Sequence, residues 1–407
     1  MVQSDIVIVG GGLSGLSLAF YCAKVGLKTI VLEKENRTGG CFHSHRIKGD
    51  DNNEFWLELG AHTCYNSYRN LLDIIDDCQL GDRMTERKKV PYVMLVDNQV
   101  KSIISQINFP ELLTSFPNLF FQKKADCDVA SYYSKIVGKQ NYQKVFRHFF
   151  NAVPSQIADE FPADILFKKR ARRKDVIKSY TFDNGLQTIV DTMATRDGMQ
   201  VLAGKKVESI ERVNGNYCID TNDDCRYETK TLALATPACT SAHLLRLIYP
   251  DIAQHLTTIL SAKINSTGVI LQKKFIRHKP VAGIVSPDDL FYSVVSRDTV
   301  PDKNYRGFTF HFKPDVQDDV VRMKRIEEAL GVNSSQIEHC VSKLNHLPAP
   351  RVGHYQLVDK IDALLENKRL LLTGNYFAGI SIEDCVSRSV REFSRLKLLD
   401  DKRQGGS

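Results

Sequence analysis

A glycine-rich turn near the start of the chain has the residue types and the spacing that bind a phosphate group. The segment Ile6-Val-Ile-Val9 is typical of a buried strand, and it runs directly into Gly10-Gly11-Gly12-Leu13-Ser14-Gly15. Gly10 permits the tight turn, Gly12 lets the backbone approach a pyrophosphate, and Gly15 allows a helix to pack closely on the strand. Because the amide groups at a helix N-terminus are unpaired, they present a positive site to an anion. The turn therefore indicates dinucleotide binding.

An acidic residue at the end of the next strand supports the same interpretation. A predicted helix from residue 16 to 25 and Gly26 lead into the strand Thr29-Ile-Val-Leu32, which ends at Glu33. A carboxylate in this place accepts hydrogen bonds from ribose hydroxyls and disfavours a 2′-phosphate, which argues against NADP. A glycine motif alone occurs by chance, but here the strand, helix, second strand and acid are all in register.

The residues that follow Glu33 favour FAD over NAD. Glycines recur in Arg37-Thr-Gly-Gly40 and Glu58-Leu-Gly-Ala-His62, where an NAD-binding domain would continue into another strand and helix. In many FAD enzymes this stretch passes beneath the isoalloxazine ring. Near the C-terminus, Leu370-Leu-Leu-Thr-Gly-Asn375 leads to a predicted helix whose positive end would stabilise negative charge on the reduced flavin. We therefore expect FAD as the cofactor.

The whole chain must supply the elements that position these motifs. Its 407 residues predict two intertwined domains, and 43% apolar with 25% charged residues is typical of a globular protein. A strand is expected around Lys206–Ile210 before a hairpin turn at Asn214-Gly215, and another at Thr231–Pro237. The ten cysteines have no CxxC pair or metal-ligand spacing, so we expect free thiols and no metal. With no leader pattern and no long apolar stretch, we expect a cytoplasmic protein.

Two segments outside these motifs allow more than one interpretation. The net charge of +7 is concentrated in the basic cluster, which we define as Lys168, Lys169, Arg170, Arg172, Arg173 and Lys174. A solvated loop is favoured there, with attraction of an anionic substrate, partner or membrane as the alternative. Nucleic acid is not expected, because no aromatic residues are interleaved with the charges. Phe116-Pro-Asn-Leu-Phe-Phe121 is favoured as core, with a membrane-dipping or substrate-lining surface as the alternative.

Taken together, the motifs resemble the protoporphyrinogen oxidase branch of the flavin amine oxidase superfamily, from residue 5 to about 395. The most specific pieces are Gly185-Leu-Gln187, the stretch from Leu347 to His354, and that from Gly374 to Cys385. The resemblance implies an α/β fold with a Rossmann-like FAD-binding domain of the p-hydroxybenzoate hydroxylase type and an inserted α+β substrate domain. The FAD-binding domain would comprise residues 1–83, 181–261 and 346–400, and the substrate domain residues 84–180 and 262–345.

The resemblance also implies individual cofactor contacts. They would come from Gly10, Gly11, Gly12, Leu13, Ser14, Gly15, Glu33, Lys34, Cys41, Gly60, Ala61, His62 and Thr63. Val207 would meet the adenine through its backbone, and Tyr355 would lie near the flavin. Ile380, Ser381 and Ile382 would close over the pyrimidine edge of the ring.

The chain departs from the family pattern at two places. Cys41 stands where many relatives have arginine, and the flavin-facing Gly-Phe-rich segment of porphyrinogen oxidases is represented only by Ala282-Gly-Ile-Val-Ser-Pro287. Packing against the ring is the favoured role for Cys41, and a redox or covalent role is the alternative, since thiol reactivity depends on a lowered pKa. These departures concern the substrate more than FAD binding.

The histidines near these motifs do not form an evident catalytic group. His43 and His45 would share a face of a strand, but with no third ligand nearby we favour local hydrogen bonding over a metal site. For His62, orienting the flavin or substrate and a plain structural role are equally supported. A structural or cofactor role is expected for His354.

The function that the resemblance implies is oxidation of a porphyrinogen-type tetrapyrrole by hydride transfer to flavin N5, with oxygen or quinone as the electron acceptor. Arg170, Arg172 and Arg173 are candidates, by charge alone, to bind the propionates. One alternative is oxidation of an amine or an unsaturated lipid, although Lys273 and Lys274 cannot be placed near the flavin from the sequence. Another is a non-catalytic FAD- or porphyrin-binding partner in a biosynthetic complex. The catalytic residues stay unknown, and a homodimer and a peripheral membrane contact are left open.

Overall fold

The structure, a computed structural model, describes residues 2–48 and 54–404, with residues 402–404 described by their backbone alone. It contains two seven-stranded sheets, each built from segments that are distant in sequence. The described residues also form two smaller sheets, one of two strands and one of three. This α/β architecture confirms the expected fold class.

The first sheet carries the glycine turn. Its strands are Val2–Val9, Thr29–Leu32, Met199–Leu202, Val207–Val213, Asn216–Thr221, Arg226–Leu234 and Leu370–Leu372. The central strand Val2–Val9 pairs in parallel with Thr29–Leu32 on one side and Arg226–Leu234 on the other. Parallel sheets are covered on both faces. Accordingly, the helices Leu13–Lys24 and Ile382–Gln404 contribute to the core on one face, and Pro250–Thr257 contributes to the core on the other.

The predicted hairpin in this sheet is confirmed. Val207–Val213 and Asn216–Thr221 pair in antiparallel register, and the turn between them has positive φ at Asn214 (51°) and Gly215 (83°). Two positive φ values define the tight turn that the Asn-Gly pair favours.

The second sheet is mainly antiparallel. Its strands, in spatial order, are Ile337–Pro348, Ser261–Gln272, Tyr305–Phe312, Phe291–Ser296, Gly283–Val285, Tyr92–Val96 and Gln99–Ser102. The small sheets pair Ser44–Lys48 with Glu54–Glu58, and Ser179–Phe182 with Cys64–Tyr65 and Met84–Glu86. Thr309 donates a hydrogen bond of 2.7 Å to the Glu58 carbonyl, which fixes this sheet against the loop that follows Glu58.

Most of the remaining helices cover the sheets or form a helical insertion between residues 109 and 166. The α-helices beyond those already given are Arg69–Asp77, Phe109–Ser115, Val129–Val137, Lys139–Asn141, Arg147–Ala152, Ala163–Leu166, Gln187–Ala194, Ala238–Leu245, Asp319–Leu330 and His354–Leu365. A π-helical turn, Tyr142–Phe146, joins two of them, and the insertion has a small core of its own around Tyr132 and Phe161. Within the described ranges, no helix has both the length and the apolar character needed to cross a bilayer.

Two expectations about surface segments are corrected by the structure. Phe116–Phe120 is a 3₁₀ turn on the outside of the insertion, with Phe120 77% and Phe121 79% exposed, so the favoured assignment to the core is wrong. The basic cluster is not simply solvated, because Lys168 and Arg170 form ion pairs with Asp384, and Arg173 pairs with Asp76. Short aromatic runs look like core in a sequence, and only the tertiary fold shows which side faces water.

Candidate functional site

The glycine turn lies where the carboxyl ends of the parallel strands meet. Gly10 donates a hydrogen bond of 2.8 Å to the Leu32 carbonyl, and Ala235 donates one of 2.8 Å to the Val9 carbonyl. Gly10 has φ of +106°, and a Cβ added there would lie 2.6 Å from the Ala235 carbonyl oxygen. A Cβ at Gly15 would collide with the Gly10 carbonyl oxygen. Only glycine fits either position, as the sequence predicts.

The helix that follows the turn presents an uncapped N-terminus. Leu13–Lys24 starts after Gly12, has no side-chain cap at that residue and has no acidic residue in its first turn. Unpaired amide groups without a competing carboxylate form a site for an anion. Gly12 lies close to Gly40: a Cβ added at Gly12 would be 3.7 Å from the Gly40 Cα. Gly12 also lines the adjoining cavity.

Glu33 is buried beside this turn. One carboxylate oxygen accepts a hydrogen bond of 2.6 Å from the Gly11 amide, and the other accepts one of 2.9 Å from Glu35. A carboxylate has further acceptor positions, which remain for ribose hydroxyls. The Lys205 amide donates to the Glu33 carbonyl at 2.8 Å, which places the start of the Val207 strand next to Glu33. Lys34 instead lies on the surface, 3.3 Å from Glu35.

Arg37 holds the second glycine-rich loop against the turn. Its guanidinium donates to the carbonyls of Gly40 (2.7 Å) and Phe42 (3.1 Å), while Gly39 donates to the Gly11 carbonyl at 2.8 Å. Gln187, from the Gly-Leu-Gln motif, donates to the Thr38 carbonyl at 3.1 Å. This contact gives the motif a structural reason, which the sequence resemblance did not supply.

The C-terminal turn closes the opposite side of the site. Thr373 donates to the Leu234 carbonyl at 3.0 Å, so the chain leaves the sheet beside the glycine turn. The helix Ile382–Gln404 then begins, and its buried Asp384 accepts hydrogen bonds from Ser381, from Lys168 at 3.1 Å and from Arg170 at 2.8 Å. Lys168 also donates to the Ala378 carbonyl. Two residues of the basic cluster, Lys168 and Arg170, therefore hold in place the turn that was predicted to contact the pyrimidine edge of the flavin.

A cavity of about 310 Å³ joins the two turns and extends to the second sheet. The predicted site residues that line it are Gly12, Leu13, Ser14, Cys41, Gly60, Ala61, His62, Ile380 and Ile382. Gly10, Gly11, Gly15 and Glu33 lie behind this lining and shape the turn. Thr63 follows His62 and is half-buried.

Other predicted contacts do not line the cavity. Tyr355 packs against the core of the helical insertion, with Lys168 6.0 Å above its ring. Ser381 is engaged by Asp384 and Arg170. His354 Nε2 donates to the Tyr376 carbonyl at 2.7 Å, because a carbonyl oxygen only accepts. The structure therefore gives His354 the structural contact that was expected.

Sequence reasoning missed the polar residues of the second sheet. Ser266, His311 and Asn345 come from three neighbouring strands, and all three line the cavity. One signal was available: Phe308-Thr-Phe-His-Phe312 alternates aromatic and polar residues, the pattern of a strand with two different faces. The pairing that brings these strands together was not readable from a single sequence.

Burial controls the protonation of the ionisable groups around the cavity. It lowers the pKa of His62 to about 3 and that of His311 to about 4, so both imidazoles are neutral at pH 7. Burial raises the pKa of the Cys41 thiol even though Lys343 and Arg37 lie near it, so the thiol is protonated. This favours packing for Cys41 over a reactive thiolate. No group of three or more potential metal ligands is present among residues 2–48 and 54–404.

These features fit FAD. The uncapped helix and the glycines provide room and amide donors for a pyrophosphate, and the buried Glu33 lies where a ribose would be held. The cavity continues from there to the C-terminal turn, as an elongated dinucleotide requires.

The comparisons with known proteins agree with this geometry. Residues 8–78 match the model of the NAD(P)-binding Rossmann-like domain. Nicotine dehydrogenase of Pseudomonas putida is 25% identical over 269 residues, which cover 59% of this chain and 54% of that protein. The 15-cis-phytoene desaturase of Narcissus pseudonarcissus is 32% identical over 109 residues, covering 27% of this chain and 18% of that protein. The chain thus spans about half or less of the length of these curated relatives.

Solved structures show the same fold over the whole chain. A chain assigned as a protoporphyrinogen oxidase from Exiguobacterium sp. 255-15 superposes with a TM-score of 0.78 at 16% identity, covering 98% of this chain and 99% of that one. The chain therefore shares the fold of this structure, which supports the resemblance seen in the sequence at the level of the fold alone.

Proposed function

We propose that this chain is an FAD-dependent oxidoreductase that oxidises a reduced organic molecule bound in the cavity beside the flavin. The observation that carries the proposal is the continuity of one cavity from the glycine turn to the polar side chains of the second sheet. Known relatives with this fold are flavin-dependent oxidoreductases, which supports FAD as the cofactor.

Bound FAD would supply a hydride acceptor, N5 of the isoalloxazine ring. The chain's own residues supply binding and position. The amides of the Leu13–Lys24 helix bind the pyrophosphate, and Glu33 binds the ribose. Asp384, held by Lys168 and Arg170, keeps the C-terminal turn closed over the site. Among the described residues, the lining contains no carboxylate or lysine, and the lowered pKa values of His62 and His311 make these imidazoles weak bases, which suits oxidation at a carbon that needs no strong base.

Two substrate classes follow from the sequence and the comparisons. A porphyrinogen is supported by the likeness to the Exiguobacterium chain, but Arg170 and Arg173, two of the candidate propionate ligands, are engaged in ion pairs. An amine or an unsaturated lipid is the second candidate, and the apolar residues Val153, Ile264 and Leu347 in the lining favour the lipid. Lys273 and Lys274 lie in a 3₁₀ turn outside the lining, so they do not support an amine-oxidase lysine. Oxygen or a quinone is the proposed acceptor.

Anaerobic mixing tests the function and separates these classes. Protein supplied with riboflavin or FAD should be yellow, and its flavin absorbance should bleach with at least one of a porphyrinogen, an alkylamine or an unsaturated alcohol. Porphyrin fluorescence appearing with the bleaching would identify the first class. A colourless protein that refuses added FAD would contradict the proposal, and bleaching with none of the donors would instead favour a non-catalytic FAD-binding role.

We propose an anionic membrane surface as a partner of the exposed aromatic segment. Leu113, Phe116, Phe120 and Phe121 are exposed on the helical insertion, and the exposed Lys123 lies two residues after Phe121. Exposed aromatic residues beside lysine are typical of segments that enter the headgroup region of anionic lipids.

Sedimentation with phosphatidylserine-containing liposomes at low salt tests this contact. Replacing both Phe120 and Phe121 with serine should abolish sedimentation. Leu247→Ser is the matched control, because Leu247 is 80% exposed but lies outside the insertion. Equal sedimentation of the double variant and the control would contradict the proposal.

A further inference from the structure

The part of the cavity that faces the second sheet is lined by polar side chains, but none of its described residues is an aspartate, glutamate, lysine or arginine. Resting on the proposed oxidoreductase function, we propose that the substrate is an uncharged, mainly apolar molecule whose hydroxyl group binds between His311 and Asn345.

The first observation is the absence of formal charge. Among the described residues that line the cavity there is no aspartate, glutamate, lysine or arginine. Cations close to the lining donate to backbone carbonyls, Lys343 and Arg37 to that of Gly40 and Arg87 to that of His62 at 2.7 Å. Because the buried histidines are neutral, a charged substrate group would lose its hydration without gaining a counter-ion.

The lining thiols do not change this conclusion. Burial raises the pKa of Cys41, and it raises the pKa of Cys385 to about 12, so both thiols are protonated at neutral pH. His346, at the exposed edge of the cavity, also has its pKa lowered by burial. The lining as a whole is therefore uncharged at pH 7.

The second observation is a hydrogen-bond network whose donors and acceptors can be assigned. The Asn345 amide nitrogen donates to the Leu59 carbonyl at 3.0 Å, which fixes the orientation of the side-chain amide because a carbonyl only accepts. The same nitrogen donates to the Ser266 hydroxyl oxygen at 2.9 Å. The Ser266 hydroxyl lies 2.9 Å from His311 Nδ1, the one acceptor that the described chain offers to its hydrogen.

This network determines what the two residues present to a ligand. Since Nδ1 of His311 accepts and the imidazole is neutral, its proton is on Nε2. Neither His311 Nε2 nor Asn345 Oδ1 has a hydrogen-bond partner within the described part of the chain. The site therefore offers one donor and one acceptor, which come from the two strands on either side of Ser261–Gln272. A hydroxyl group satisfies both, because it accepts from Nε2–H and donates to Oδ1.

Other polar groups match this pair less well. A carboxylate would face the Asn345 oxygen and would bring an uncompensated negative charge. An ammonium group has no acceptor capacity for the His311 N–H. The surrounding lining is apolar, from Val153 and Pro154 of the insertion to Ile264 and Leu347 of the sheet, and suits a hydrocarbon body.

The test compares three probes that share one chain, octan-1-ol, octanoate and octylammonium, with the FAD-loaded protein. Binding is measured by the shift in the flavin absorbance spectrum and by calorimetry. Octan-1-ol should bind at least ten-fold more tightly than either ion, and His311→Leu should weaken octan-1-ol binding at least ten-fold. His339→Leu, on the exposed part of the strand Ile337–Pro348, is the matched control and should bind octan-1-ol as the native chain does.

Octanoate or octylammonium binding as tightly as octan-1-ol would overturn the proposal, as would undetectable octan-1-ol binding or an unchanged affinity in His311→Leu. Asn345→Leu provides a second variant if His311→Leu does not fold, and it should also lose at least ten-fold. FAD content is measured on every sample. Protein without FAD contradicts the proposed function, whereas FAD-loaded protein that prefers an ion contradicts only this inference.

Discussion

The glycine turn, where we propose that FAD binds, and the second-sheet end of the same cavity, where we propose that the substrate binds, are built in opposite ways. The turn uses backbone amides and glycines from one stretch of about 35 residues, Ile6 to Gly40. The second-sheet end uses the side chains of Ser266, His311 and Asn345, which come from three strands that are separated in sequence but are neighbours in the sheet. A cofactor site that depends on backbone geometry is written locally in the sequence. A substrate site that depends on side chains from separate strands can be recognised only when the pairing of those strands is known.

Gly15→Val would break the backbone-built region most severely. The new side chain would collide with the Gly10 carbonyl, so the helix could not pack on the strand and the turn could not hold a pyrophosphate. We expect FAD affinity to fall by more than about 100-fold, which corresponds to about 2.7 kcal/mol or more. The ratio of flavin to protein absorbance after purification and a titration with FAD measure the loss.

Gly81→Ala is the matched control for this substitution. Gly81 has no positive φ, and a Cβ there meets no atom within 4 Å, so FAD content should match that of the native chain. Full FAD occupancy in Gly15→Val would show that the turn does not bind the cofactor.

Glu58 connects the two regions, because its carbonyl accepts a hydrogen bond from Thr309 of the second sheet. Its buried carboxyl should make the free energy of unfolding depend on pH. Its carboxyl accepts from Ser44 (2.9 Å) and from the Leu186 amide (2.7 Å), and burial raises its pKa to about 7 from an ordinary 4.5. Since the folded state holds the proton more tightly than the unfolded state, stability should fall as pH rises from about 4.5 to about 7 and then level off. The total contribution of this group is about 3 kcal/mol.

Glu58→Gln removes this titration. Urea unfolding of the variant should show a flatter stability between pH 5 and pH 7 than the native chain, and greater relative stability at the upper end. Asp183→Asn is a suitable control, because this exposed carboxyl pairs with Arg83 on the surface. An equally steep pH dependence in Glu58→Gln would show that other groups cause it.

Different parts of this architecture were predictable to different degrees. The strand Ile6–Val9, the glycine turn and the hairpin at Asn214-Gly215 were predictable, since their signals come from neighbouring residues. The location of Phe116–Phe121 was not, because an aromatic run has the same pattern in a core and on a surface. The ion pairs of Lys168 and Arg170 were not predictable either, because their partner Asp384 lies more than 200 residues away. A basic cluster expected to be a solvated loop instead holds the C-terminal turn in place.

Asp384→Ala tests the ion pairs that Asp384 forms with Lys168 and Arg170. Removing the buried carboxylate leaves Lys168 and Arg170 without their partner and frees the turn at Ala378. Because both cations are partly exposed, we expect a loss of about 2 kcal/mol in unfolding free energy, less than for a fully buried pair. Urea unfolding measures it, and FAD affinity should fall as well. Asp175→Ala, whose carboxylate pairs with Arg173 at the surface, is the control and should change neither quantity measurably.

Cys41→Ala has the smallest expected effect. It distinguishes a packing role of Cys41, at the boundary of the two regions, from a redox or covalent role of its thiol. Because burial keeps the thiol protonated, the residue acts as a small apolar group, and its loss should cost less than about 1 kcal/mol of unfolding free energy. Acid precipitation of the native protein should release all of the FAD into the supernatant, and the variant should retain the same FAD content before precipitation. A yellow pellet from the native protein and a white one from Cys41→Ala would instead show a covalent bond from this sulfur to the cofactor.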